Sequence, residues 1–329
     1  MKDLVAIAFS DLHLNEWKNF SKNHSRLRNG TDVIRILSNK AREANVPLLF
    51  AGDLIHNPSS VSNRVLQGFE AAYKKYIAHN RVNFVAIDGN HDQNEKNTFD
   101  NRTKGYIEAF STNKKYIKCV NHNFHVENDR DLLIAGIPYL SHNDGFLKSL
   151  KQLESRVMLR EYRKQKKILM IHTDLPGAKT PDGLELEEYN EIGSNLEKRF
   201  KLWDLVICGH IHLPQKLSNK VYMLGSPQHQ TASDAGTDMG YWEIYQDMTV
   251  KFKPLNQYPQ FIYYDEGDKP KDAINFWIER PKQEAEEEVV EVFNAKTSRS
   301  KLAKKYCKAT NQYKKSKIKY LSQILNSVE

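Results

Sequence analysis

The first part of this sequence predicts an α/β layered fold with much parallel pairing, on three observations. Short apolar runs of four to seven residues alternate with longer amphipathic stretches. The short runs are apolar throughout, as strands buried on both faces are. Strand, helix and strand also follow one another at the spacing of βαβ units, the usual connection between parallel strands.

The first strand is Leu4–Phe9. Residues 31–45 then place Val33, Ile34, Leu37, Ala41 and Ala44 on one helical face, with Thr31 as the expected N-cap. A second strand over 47–51 leads into residues 62–79, which align Val65, Leu66, Phe69, Ala72, Tyr73 and Tyr76 behind Ser62 as N-cap. Further buried strands fall at 82–87, 132–137, 167–171 and 205–208. After Lys220 the pattern becomes strands without helices, at 221–225, 239–245 and 249–253, expected to finish a sheet in antiparallel fashion. Residues 254–282 are less regular, punctuated by Pro254, Pro259, Pro270 and Pro281 and carrying the aromatics Phe261, Tyr263 and Tyr264. From Glu284 onward the composition is helical, with a break near Thr297 and Ser298.

The 329 residues suffice for one large domain with an appendage, or for two modest ones. No run of 18 or more apolar residues occurs, and Met1-Lys2-Asp3-Leu4 leads into a strand rather than a signal peptide. The expectation is a protein with no membrane span that stays in the compartment where it is made, the cytoplasm. Cys119, Cys208 and Cys307 form no CxxC pair, which argues against a disulfide framework or a zinc knuckle. Net charge is +8, and the C-terminus carries most of it, with ten Lys or Arg and no acid over 296–319. Such an excess is compatible with a nucleic-acid partner, and equally with a solvated helix face.

The strand ends carry the chemical signal. The first ends in Ser10-Asp11-Leu12-His13, the second in Gly52-Asp53-Leu54-Ile55-His56 and the third in Asp88-Gly89-Asn90-His91-Asp92. Later ones end in His172-Thr173-Asp174 and Gly209-His210-Ile211-His212. Ligands of open α/β sheets bind outside the carboxyl ends of the strands, so these five ends point into one crevice. Asp and His with an amide oxygen and no cysteine suit a divalent cation such as manganese, iron or zinc. Asp11-x-His13 and His210-x-His212 would each put two ligands on one face of an extended backbone. The glycines before Asp53, Asn90 and His210 would let the chain turn sharply beneath them.

Taken one at a time, Asp11, Asn90 or His172 reads as a turn former or a hydrogen-bonding core residue. The spacings of 42, 37, 82 and 38 residues, each fitting one or two βαβ units, make coincidence a poor explanation. Seven ligands exceed what one open metal site takes, and two metals sharing a carboxylate would use them all. His24, His79, His122, His125 and His142 lack such company and are read as structural, while His229 in Gly225-Ser226-Pro227-Gln228-His229 stays open.

Together these motifs resemble the calcineurin-like metallophosphoesterase superfamily over roughly residues 4–253. Gly52-Asp53-x-x-His56, with Tyr222-Met223-Leu224-Gly225-Ser226-Pro227 and Gly240-Tyr241-Trp242-Glu243-Ile244, is similar to the SbcD-type nucleases of double-strand-break repair, including their short phage relatives. The resemblance implies a four-layer sandwich, two mixed sheets flanked by helices, with a small cap and a C-terminal helical tail. It implies two divalent metal ions, manganese by expectation, with Asp11, His13 and His212 on one, Asn90, His172 and His210 on the other, and Asp53 bridging. Two such cations about 3.5 to 4 Å apart hold a phosphate and lower the pKa of a bound water towards about 7. His91 would then face the leaving oxygen, His56 would help position the DNA strand, and Asp92 would brace His91 or the turn.

The implied domains are a nuclease core at 1–253, a short cap or linker at 254–283, and a tail at 284–329 that binds an SbcC-type coiled-coil ATPase. The tail's apolar groups, Val289, Val290 and Phe293, then Leu302 and Tyr306, then Ile318, Leu321, Ile324 and Leu325, need burial against a partner or the core. The implied partners are DNA, as duplex ends and single strands, that ATPase, and a second copy of the chain, through helices such as 62–79. The alternatives are a protein phosphatase or cyclic-nucleotide phosphodiesterase on the same core, and a non-catalytic scaffold. Scaffolds of this kind lose ligands or the substrate histidine, whereas every such position is filled here.

Overall fold

The computed structural model describes residues 3–21, 23–93, 104–141, 143–186, 192–264 and 275–279. The tail expected at 284–329 lies outside the described residues, as does His142. Described residues up to Ile262, with Asn275 and Phe276, form one compact unit. Tyr263, Tyr264 and residues 277–279 fall in a second.

In chain order the first unit contains β1 (Leu4–Phe9), α1 (Ser25–Ala44), β2 (Leu48–Phe50), α2 (Asn63–Ala72), β3 (Phe84–Ala86), α3 (Tyr106–Ser111) and β4 (Ile117–Cys119). Then come β5 (Asn123–Glu127), β6 (Leu132–Ile137), α4 (Asn143–Val157), β7 (Lys166–His172), α5 (Leu196–Arg199) and β8 (Leu205–Gly209). It closes with β9 (Gln215–Lys216), β10 (Val221–Met223), β11 (Gly240–Tyr245) and β12 (Val250–Pro254). The strands form two six-stranded mixed sheets, ordered β12-β11-β1-β2-β3-β4 and β5-β6-β7-β8-β10-β9. Phe261–Tyr264 (β13) and Phe276–Glu279 (β14) pair as a separate two-stranded sheet.

Side-chain alternation explains the layering. In β2, Leu48 and Phe50 face the helices with Phe9 and Phe84, while Leu49 turns the other way with Ala8 and Val85. In β7, Leu169 and Ile171 face α4 while Ile168 and Met170 join that same middle core. The middle core therefore lies between the sheets, and an outer core lies between each sheet and its helices, which makes the four-layer sandwich. Phe9, Phe50 and Phe84 stack side by side under α1 and α2, with centroids 4.9 Å and 5.5 Å apart along the row. Each of these buried rings contributes about 1.5–3 kcal/mol through transfer from water.

Three expectations are corrected. First, α1 begins at Ser25 rather than at Thr31, whose hydroxyl instead donates to the Arg28 carbonyl inside the helix. Leu27 is buried on the same face as Val33, Ile34 and Leu37, so tertiary burial carries the helix through Gly30, where a Cβ would meet Leu14 at 2.6 Å. Second, β10 runs parallel to β8 instead of antiparallel. Third, the strands after Lys220 do not finish one sheet: β10 joins the second, and β11 and β12 join the first beside β1. Ser62 does cap its helix, accepting from the Val65 N–H, and the helix continues from α2 through a π-helical turn at Tyr73–Ala78.

Candidate metal centre

The parallel register sets the strand ends side by side. Phe9 pairs with Phe50 in one sheet, and His172 with Gly209 in the other, so the loops that follow meet at one edge of the sandwich. Contacts cross between the sheets there: the His210 N–H donates to Asp11, 3.1 Å from Oδ1 and 3.2 Å from Oδ2. The Asp11 and His13 N–H groups donate to the Gly52 and Asp53 carbonyls.

The backbone here is kinked rather than extended, against expectation. Asp11, His13, Asp53 and His210 have φ of 53, 46, 61 and 93°, so their side chains converge by left-handed bends and not by strand alternation. Of the glycines, one acts as expected and another does not. Gly52 has φ 94° and needs glycine for its turn, whereas Gly89 has an ordinary φ and is required for space: a Cβ there would lie 2.1 Å from Asp53 Oδ1.

Ligand atoms of Asp11, His13 and His212 gather within 4.8 Å of one another, as do those of Asp53, His172 and His210. Asp53 Oδ2 links the two groups, 3.5 Å from His13 Nε2 and 3.4 Å from His172 Nε2. Asn90 Oδ1 is 2.9 Å from both His172 Nε2 and His210 Nδ1. His13 Nε2 lies 3.2 Å from His212 Nε2. The expected ligands are thus brought together, and Asp11, His13, Asp53 and His172 are buried. Burial opposes charge on Asp53, yet His172, His13 and His91 together hold its carboxyl far below the usual range. Burial keeps His13 neutral, as a ligand must be. His172 is also penalised by burial, but Asp53 and Asp11 raise it to about 9. Two carboxylates, four imidazoles and one amide oxygen converging in two groups around a shared carboxylate fit a pair of divalent cations.

His91 and His56 flank the centre. The His91 Nδ1–H donates to the His56 carbonyl at 2.6 Å, and the two rings stack 5.1 Å apart at 14°. His56 is driven to about 4 by burial and then by His91, so it stands neutral. Asp92 lies under the turn: Oδ2 accepts from the Asp53 and Gly89 N–H groups, and Oδ1 from Leu54 and Ile55. His122 bonds Ser149 and His125 pairs with Glu127, away from the centre. His229, open in the sequence, joins the Phe261 N–H at Nδ1 to the Thr237 carbonyl at Nε2.

Sequence reasoning missed Asp234, whose Oδ1 lies 3.6 Å from His212 Nδ1. Its signal, Thr231-x-x-Asp234, reads as a capping box, and Asp234 also serves as one. Ser226 and Gln230 went unassigned as well, though Ser226 Oγ and Gln230 Nε2 both donate to the Asp11 carbonyl.

A four-layer α/β sandwich carrying a paired Asp/His/Asn centre at its strand ends defines a metallophosphoesterase. The chain belongs to the calcineurin-like phosphoesterase family, whose model matches residues 5–214. Among solved structures it is similar to a dimetal phosphatase from Danio rerio, at 12% identity over 77% of this chain and 97% of that one, TM-score 0.45. It is also similar to the calcineurin-like phosphoesterase YfkN from Bacillus subtilis, at 11% identity over 77% and 89%, TM-score 0.41. A third similar chain is GAP50, the anchor in the inner membrane complex of Plasmodium, at 10% identity over 77% and 89%, TM-score 0.44. No helix of the described residues is long and apolar enough to cross a membrane.

Proposed function

We propose that this chain is a manganese-dependent DNA exonuclease and endonuclease, the nuclease subunit of an SbcCD-like repair and recombination complex. The observation that carries the two-metal phosphoesterase part of this reading is Asp53 Oδ2, set between His13 and His172 and so between the two ligand groups, with His91 beside them. Asp11, His13 and His212 would hold one cation, Asn90, His172 and His210 the other, and Asp53 both. When bound, the pair supplies Lewis acidity to a phosphate ester and acidifies water. Asn90, a neutral ligand, limits the negative charge that would repel the phosphate.

His91 serves the leaving group. Its Nδ1–H is tied to the His56 carbonyl, so the imidazolium has its Nε2–H to give. Giving that proton to the leaving sugar oxygen leaves the neutral Nδ1–H tautomer, the form that the carbonyl already holds. The DNA reading draws on the Gly52-Asp53-x-x-His56 motif, which stacks a second imidazole on His91. The SbcC-type ATPase would dock on residues 284–329. A homodimer through residues 62–79 would draw on the groove lined by Leu66 of α2 and by Tyr106, Ala109 and Phe110 of α3.

The test is manganese-dependent degradation of linear duplex, with and without a co-expressed SbcC-type ATPase, beside a phosphopeptide and a cyclic nucleotide. Turnover confined to either of the last two rejects the nuclease. His91→Ala should keep two bound metals while turnover falls about 10²- to 10⁴-fold; loss of metal instead makes His91 a ligand. Deleting residues 284–329 should abolish ATPase association in a pull-down and spare metal-dependent activity, and a truncated chain that unfolds shows that the tail packs on the core.

A further inference from the structure

His91 is tied to a backbone carbonyl rather than to a carboxylate, so its ring is only as well fixed as residue 56. Besides that bond to His91, the His56 main chain is held by its N–H, which donates to the Leu14 carbonyl at 3.3 Å, and its Nδ1 lies 3.4 Å from His13 Nδ1. Its imidazole packs against Trp17, with ring centroids 4.4 Å apart at 45°. Trp17 is half-buried and belongs to none of the three apolar cores, so core packing does not account for it.

What holds Trp17 is a cation. The Arg26 guanidinium carbon lies 4.1 Å from the indole centroid, and Arg26 is 5% exposed. Arg26 Nη2 donates to the Gln230 carbonyl at 2.6 Å, and Gln230 Nε2 in turn donates to the Leu12 carbonyl at 3.1 Å. The result is a row of four planar groups, Arg26, Trp17, His56 and His91, anchored at the far end to the loop that carries Asp11 and His13. Cation–π and ring contacts have defined faces, so such a row transmits orientation where aliphatic packing would leave the rings free to tilt.

We infer that Trp17 is a positioning residue for His91, acting through His56. The inference rests on the leaving-group role of His91 proposed above. Misplacing a catalytic group by about 1 Å costs on the order of 100-fold in rate. Substrate binding, in contrast, draws on the metal centre, which Trp17 does not touch among the contacts described.

The test uses the full chain loaded with manganese, hydrolysing an abasic oligodeoxynucleotide, a diester whose sugar leaving oxygen needs a proton and which has no bases to stack. Trp17→Ala and Trp17→Leu should each lower kcat about 10- to 100-fold, with KM within about twofold. Trp17→Phe, which restores an aromatic face, should recover most of kcat. The second readout needs no metal: in the metal-free protein the His91 ring resonances should move in Trp17→Ala and Trp17→Leu and return in Trp17→Phe. If Trp17→Ala does not fold, Trp17→Leu, which keeps apolar bulk, decides the matter. Wild-type kcat with unmoved His91 resonances in Trp17→Leu overturns the inference, as does an equal loss in Trp17→Phe. A wild-type chain without diesterase activity sinks the proposed function instead, and the resonances still decide whether Trp17 orients His91.

Discussion

The carboxylate of Asp92 satisfies four backbone N–H groups, two on each oxygen, and so shapes the turn that presents Asp53. Asp92→Asn replaces one oxygen by an NH₂ facing two donors. The expected outcome is a loss of about 3 kcal/mol or more from buried N–H groups left unpaired. Manganese affinity should fall with it, because Asp53 moves. Thermal unfolding and metal titration check both, and a variant with wild-type affinity refutes the bracing role. Asp11, His13, Asp53 and His210 hold a left-handed backbone, a conformation that costs on the order of 1 kcal/mol at each non-glycine residue. Hydrogen bonds fix it: the Asp11 and His13 N–H groups donate to the Gly52 and Asp53 carbonyls, the Asp53 N–H to Asp92, and the His210 N–H to Asp11 across the sheets.

Side chains also tie elements to one another across the fold. Arg130 donates to the carbonyls of Ala44 and Asn45, capping the C-terminus of α1 from the β5–β6 turn. His229 fastens the chain at the start of β13, and its bonding requires the neutral ring, since Nδ1 must accept from the Phe261 N–H. Burial holds its pKa below the usual value. A depressed folded-state pKa makes this contribution complete above the unfolded value of about 6.5, and it is lost as pH falls through the lower folded value. The protection factor of the Phe261 amide should accordingly drop as pH falls below about 6.5 in the wild type. In His229→Gln that acid step should vanish; a wild-type protection factor that does not change with falling pH contradicts the assignment.

For the whole molecule, the centre sits where the two sheets share an edge: Asp11, Asp53 and Asn90 follow strands of one, His172 and His210 strands of the other. Cations held there cross-link the sheets and bind the folded chain alone. At a free manganese concentration 100 times Kd the stabilisation is about 2.7 kcal/mol, which corresponds to a rise of roughly 5–10 °C in Tm for a unit of this size. Chelation should reverse the rise and Asp53→Asn should abolish it. A manganese-independent Tm in the wild type removes the cross-link.

The layered α/β class, the Ser62 cap and the strands 4–9, 132–137 and 205–208 are legible in the sequence because apolar period and turn chemistry are local. So are the residues gathered at the centre, since five strands ending in Asp, His or Asn need no distant contact to be noticed. Sheet membership was not legible: β10 and β11 are alike in apolar pattern, yet they part into different sheets because cross-strand pairing is set by neighbours far along the chain. The start of α1 was hidden by Gly30, which mimics a break and in fact makes room for Leu14. Of the supporting acids, Asp92 was expected to brace the turn and does so, meeting Asp53 across 39 residues, whereas Asp234 was hidden because it looks like an ordinary cap. The sequence by itself determined which side chains stand at the strand ends. Only the tertiary structure decided that His13 and His212, 199 residues apart, come within 3.2 Å, because that depends on two sheets packing face to face over a shared core.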